Sequence, residues 1–173
     1  MNKSQHFKKS FLASLLFLFF LSLCSSQTLG QDIPPESENW IVSLPAGVTL
    51  ELLYIAPGTF MMGSPEDERG REDSEKQYEV TLTKGYYLGK YTVTQEQWEA
   101  LSGSNPSKWK AATLPVERVS WADAMEFCQK LTEVERSAGR ISTNWEYSLP
   151  TEAQWEYACR GGTMTALNNG KNL

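Results

Sequence analysis

Histidine is all but missing from this sequence: His6 is the single one in 173 residues, and it lies in the basic stretch before an apolar run. Beyond that run there is none, which excludes Ser-His-Asp and Cys-His nucleophilic triads. Cysteine is scarce too, with Cys24, Cys128 and Cys159 only. Two cysteines and no histidine downstream of the run cannot close the four-ligand shell of an ordinary zinc site. No GxGxxG or GxxxxGK[ST] loop is present to cradle phosphates. Positive charge is short as well: three of the 16 basic residues, Lys3, Lys8 and Lys9, fall in the first ten positions, leaving the remainder at −8. An acidic surface does not neutralise a phosphate backbone, so no nucleic-acid partner is expected.

Only one long apolar run exists, the 14 residues from Phe11 to Cys24. It follows a basic stretch and precedes Ser25 and Ser26, the pattern of a signal peptide, and it is short for a membrane span. Cleavage after Ser26 or Gly30 meets the small-residue requirement, and an uncleaved anchor is the alternative reading. Lipidation at Cys24 is disfavoured, because Leu23 stands where a small residue is wanted. Export would place the mature chain outside the cytoplasm, in a periplasmic or extracellular compartment where disulfides persist. Cys128 and Cys159 are then candidate structural disulfide cysteines, whose connectivity the sequence leaves open. The expected organisation is a signal peptide over 1–26, a linker over 27–47 rich in Pro and Glu, and one domain over 48–173.

Within that domain, strands come first and helices after, an α+β order. Val48, Leu50, Leu52 and Tyr54 alternate with Thr49, Glu51 and Leu53, which predicts a half-buried strand. The Pro57-Gly58 turn then predicts a hairpin into Phe60-Met61-Met62. Glu66 to Glu75 is a charge-dense loop without the ligand spacing of an EF-hand. Tyr78, Val80 and Leu82 alternate again, and the aromatic stretch Tyr86–Val93 is β-prone. Three helices follow, each announced by a cap and a residue three places on: Thr94 with Gln97, Ser120 with Asp123, Thr151 with Gln154. The second should bury a stripe of Trp121, Met125, Cys128 and Leu131, and the third Trp155 and Cys159 before the Gly161-Gly162 stop. Trp98, Trp121 and Trp155 therefore read as core. Trp109, between Lys108 and Lys110, is the one aromatic free to be a contact site. Glu152 and Glu156, one turn apart, read as an exposed helix face rather than a carboxylate pair.

Four segments in order resemble the sulfatase-modifying factors, the formylglycine-generating enzyme family. They are Ile55–Ser64 (IAPGTFMMGS), Tyr86–Thr94 (YYLGKYTVT), Leu114–Ala124 (LPVERVSWADA) and Leu149–Gly162 (LPTEAQWEYACRGG). The resemblance implies an irregular C-type-lectin-like α+β fold, incomplete at its carboxyl end in this chain. It also implies a parent activity that oxidises a Cys in a Cys-x-Pro-x-Arg segment of an exported sulfatase to formylglycine, with oxygen and copper(I). By the family pattern the copper-binding cysteines and the calcium ligands follow the RGG block. No catalytic, cofactor or metal residue is therefore expected here, and copper and calcium are implied only for the complete domain. The same pattern implies downstream disulfide partners for Cys128 and Cys159. A non-catalytic binding or envelope-assembly module on the same scaffold is the alternative, its partner an exported sulfatase or another protein.

Overall fold

The computed structural model describes residues 21–25, 39–66, 68 and 70–165. Most of the stretch read as a signal peptide (1–20 and 26), most of that read as a linker and the tail from residue 166 lie outside these residues. Two compact units divide the chain, one made of the segments up to Ile55 and Tyr86–Leu149, the other of Ala56–Gly85 and the part from Pro150 on.

The first unit is built on a five-stranded antiparallel sheet. Its strands are β1 (Ser22–Ser25), β2 (Trp40–Ser43), β3 (Thr49–Ile55), β6 (Tyr86–Gly89) and β7 (Trp145–Ser148), in the spatial order β2-β3-β6-β1-β7. Alternation in β3 does what period-two patterning requires: Leu50 and Leu52 are buried while Thr49 is exposed. Two helices cover the sheet, α1 (Gln95–Ser102) and α2 (Trp121–Ser137). Each begins at its predicted cap, with Thr94 and Ser120 accepting from the N3 amide and Gln97 and Asp123 reaching back. Trp98 of α1 stacks on Phe127 of α2, ring centroids 5.1 Å apart. These join Leu21, Val42, Leu52, Tyr87, Leu131 and Tyr147 in one core.

The second unit pairs β4 (Gly58–Met62) with β5 (Tyr78–Leu82) in an antiparallel ribbon, and sets α3 (Glu152–Arg160) against it. The predicted cap at Thr151 forms, and Gly161 closes the helix in the left-handed conformation. Among the described residues no helix is long and apolar enough to cross a membrane.

Several expectations are corrected. The hairpin does not form between β3 and β4; β3 pairs with β2 and β6, and β4 with β5. Trp40–Ser43, inside the stretch read as linker, is an edge strand of the sheet. Most unexpectedly, the end of the apolar run Phe11–Cys24 enters β1, a strand hydrogen-bonded on both sides. The buried stripe of α2 is Ala124, Phe127, Cys128, Leu131, Thr132 and Glu135, rotated away from Trp121, which is 63% exposed. Trp155 and Cys159 are only half-buried.

Candidate functional site

The sequence offers no ready catalytic constellation, so the polar side chains that the fold gathers are the place to begin. In the first unit the loop from Gly103 to Val119 carries no regular element, and it is held by side chains instead. Gln95, buried at the start of α1, donates from Nε2 to the carbonyls of Trp109 (2.8 Å) and Pro115 (3.3 Å). Its Oε1 accepts from Asn105 Nδ2 (2.9 Å) and from the Ala111 amide (3.1 Å). The carboxylate of Glu117 accepts from the amides of Lys108 (2.7 Å) and Trp109 (3.1 Å). Those amides, Trp109 first, hold the Glu117 carboxyl below its ordinary value, because they stabilise the charged form. Lys110 donates to the Asn105 carbonyl. The product is a tethered irregular loop with Trp109 standing out of it, 68% exposed, and the Lys108 ammonium 5.1 Å from its ring centroid.

A second polar group lies under α2. Glu135 is fully buried and accepts from Arg140 Nε (2.9 Å) and Nη2 (2.6 Å). Tyr147, 3% exposed, has its hydroxyl proton held far more firmly than usual, by burial and then by the Glu135 charge. Thr132 ties this helix to β7, donating to the Cys128 carbonyl and accepting from the Tyr147 amide, 2.9 Å in each case.

In the second unit Glu156 and Arg160 grip Gly63. Glu156 Oε1 accepts from the Gly63 amide (2.9 Å) and Arg160 Nε (2.8 Å), and Arg160 Nη2 donates to the Gly63 carbonyl (2.7 Å). Glu156 is thus a structural anchor rather than an exposed residue, while Glu152 is exposed as expected. Tyr157 packs beside it on Phe60, centroids 5.2 Å apart.

The two thiols are free. Cys128 is 1% exposed, and burial pushes its thiol up to about 12, so it stays protonated near neutrality. Burial and then the Glu156 carboxylate raise Cys159 as well. They sit in different units, Cys128 on α2 and Cys159 on α3. Copper(I) is held by thiolates, and Cys128, 1% exposed within the core of its unit, is closed to an incoming ion. Among the described residues no three His, Cys, Asp or Glu side chains gather to hold a metal ion.

Set against known proteins, residues 42–171 match the profile of the sulfatase-modifying factor enzyme 1-like domain. The chain belongs to this family. All four motifs fall within the matched stretch: IAPGTFMMGS enters β4, YYLG is β6, VSW caps α2 and LPTEAQWEYACRGG is α3 with its stop. The chaperone protein LppX of Paenibacillus barcinonensis is 37% identical over 108 residues, covering 48% of this chain and 38% of LppX. The formylglycine-generating enzyme of Mus musculus is 37% identical over 75 residues, which is 43% of this chain and 16% of the mouse enzyme. The chain therefore spans well under half the length of these relatives. Two solved structures share the fold: variable protein 1 of Treponema denticola (TM-score 0.60, 24% identity, 75% of this chain and 59% of that one) and PvdO from Pseudomonas aeruginosa (TM-score 0.53, 22% identity, 65% and 48%).

The sulfatase-modifying factor motifs were legible because each combines a turn, cap or glycine stop with an apolar pattern. The Gln95 and Glu117 tethers and the buried Glu135 were not, since a lone polar residue on a helix or loop carries no spacing signal. The nearest clue was Asn105-Pro106, an Asx turn placed where Asn105 Oδ1 accepts from the Ser107 amide at 3.0 Å.

Proposed function

We propose that these residues serve as the recognition scaffold of a sulfatase-modifying-factor domain on an exported protein, and perform no thiol oxidation on their own. The observation that carries this is the burial of Cys128, 1% exposed in the core of the first unit and closed to substrate and oxidant. The parent family's conversion of a sulfatase Cys to formylglycine is a reading for the whole protein. In this chain α2 and α3 supply framework, and neither cysteine handles the oxidant.

The binding side of the reading rests on Trp109, whose backbone carbonyl and amide are held by Gln95 and Glu117 while its ring is exposed. A rigid aromatic loses little entropy on contact, which suits it to protein recognition. The LppX relative, described as a chaperone, favours a partner that is itself a protein. Export follows from the leader pattern. The irregular pairing of small antiparallel sheets with three helices supports the C-type-lectin-like fold.

The test is an oxidation assay. Purified chain with copper(I) and oxygen should leave the Cys of a Cys-x-Pro-x-Arg peptide unchanged by mass spectrometry. Aldehyde above the no-protein control would overturn the scaffold reading.

A further inference from the structure

The residues Leu21–Ser25 are asked to do two incompatible things. In sequence they end the apolar leader run, and Cys24 and Ser25 immediately precede Ser26, the first of two small-residue cleavage positions. In the fold they are a strand of the sheet core. Ser22 and Leu23 pair with Leu88 and Tyr87 of β6, while Ser22 to Ser25 pair with Ser148 to Trp145 of β7. The Gly89 amide donates to the Leu21 carbonyl at 2.8 Å, and the Leu21 side chain is fully buried in the core with Tyr87 and Tyr147.

β1 also lies outside the stretch that matches the family domain, which begins at residue 42. The interval between β6 and β7 is thus filled from outside the matched residues, by a segment of the leader. No other described strand of this unit can take the place, because β2 and β3 already pair with each other and β3 with β6.

We infer that the β6–β7 interval is a strand-binding site for the chain's own leader end, so that folding of the first unit and leader removal exclude one another. This rests on the leader reading and on the strand pairing together. A processing peptidase hydrolyses the bond after Ser26, consuming one water, and must bind the preceding residues as an extended strand in its own cleft. Ser22 and Leu23 are paired on both edges and Cys24 and Ser25 on the β7 side, so these residues reach the peptidase only when β1 opens. Cleavage then tracks the small open population. The chain is processed before it folds, or it keeps its leader as a structural strand.

The experiment uses the full chain. Leader peptidase is added either at the moment of dilution from denaturant or after refolding, and intact mass follows loss of the first 26 residues. Processing at least tenfold slower after refolding is the expected result, with the amides of Leu23 and Cys24 protected from hydrogen exchange. Leu23→Pro, which removes a β1 amide, should restore fast cleavage, and so should Leu52→Asp, which spoils the core and leaves the leader untouched. Equal rates before and after refolding would overturn the exclusion while leaving the leader intact as a reading. No cleavage in any form, with Leu23 and Cys24 still protected, would overturn the leader reading and the exclusion with it.

Discussion

At the scale of single residues, Gly63 and Cys128 show how little freedom some positions have. Gly63 has φ +96°, and a Cβ there would lie 2.8 Å from the Glu75 carbonyl and 2.9 Å from that of Lys76. Both obstacles are backbone, and both faces of its peptide are held by Glu156 and Arg160. Gly63→Ala should therefore cost about 3 kcal/mol, from left-handed strain plus steric overlap. At Gly58 the obstacle is the Tyr157 hydroxyl, 2.1 Å away, at the tip of a side chain that can swing. Gly58→Ala should cost less, about 1–2 kcal/mol, at the expense of the Phe60 contact. Urea melts of the two variants decide the order. Cys128 sets a pH limit. Its thiol titrates at 9.0 when unfolded and at about 12 when folded, so above pH 9 the unfolded chain sheds a proton that the folded one keeps. Stability from this group is complete below pH 9 and falls as pH rises toward 12. Tyr147, also raised, pushes the same way from its own ordinary value of 10.0. Melting temperature should decline above pH 9, and Cys128→Ala should lessen the decline; a flat profile in the parent chain would contradict the assignment.

At the scale of elements, caps and patterns told most of the story. All three helices start at the residue the capping box names, because Thr94, Ser120 and Thr151 each satisfy an amide that the helix cannot. Leu50 and Leu52 face the core as alternation demands. Pairing was not legible: β4 follows β3 after a short turn yet pairs with β5, since strand partnership is settled by tertiary packing rather than by the turn between neighbours. β7 was missed because Trp145–Ser148 is only four residues long. The stripe of α2 was misplaced because Trp121 drew the apolar face toward itself, whereas Phe127, Leu131 and the paired Glu135 point inward. The long loop before α2 was invisible as structure, since its order comes from Gln95 and Glu117. Gln95→Ala leaves the Asn105 side chain, the Ala111 amide and two carbonyls without their partner, and should cost on the order of 3 kcal/mol. Hydrogen exchange at the Ala111 amide should quicken along with the loss in a urea melt, and an unchanged melt would show that the tether is dispensable.

At the scale of the whole molecule, the first unit depends on β1 to complete its sheet. A chain beginning at Gln27 keeps β2, β3, β6, β7, α1 and α2 but loses the strand between β6 and β7. It forfeits the β1 ladders on both sides and the fully buried Leu21. Burial of one Leu is worth roughly 1.5–3 kcal/mol, against a typical net stability of about 5–15 kcal/mol for a domain. The exposed edges of β6 and β7 add unpaired amides and carbonyls around Tyr87 and Tyr147. The shortened chain is predicted to lose the cooperative melt and the near-UV circular dichroism of Trp145, Tyr87 and Tyr147, and to expose Cys128 to thiol reagents. A synthetic peptide spanning Phe20–Gln27, added in excess, should restore all three signals, because the site it fills is made of backbone and needs no covalent link. The same peptide with proline at the Leu23 position should not. If the shortened chain melts as sharply as the full one, with Cys128 unreactive, then β6 and β7 close on each other without β1, and β1 is a passenger in the sheet.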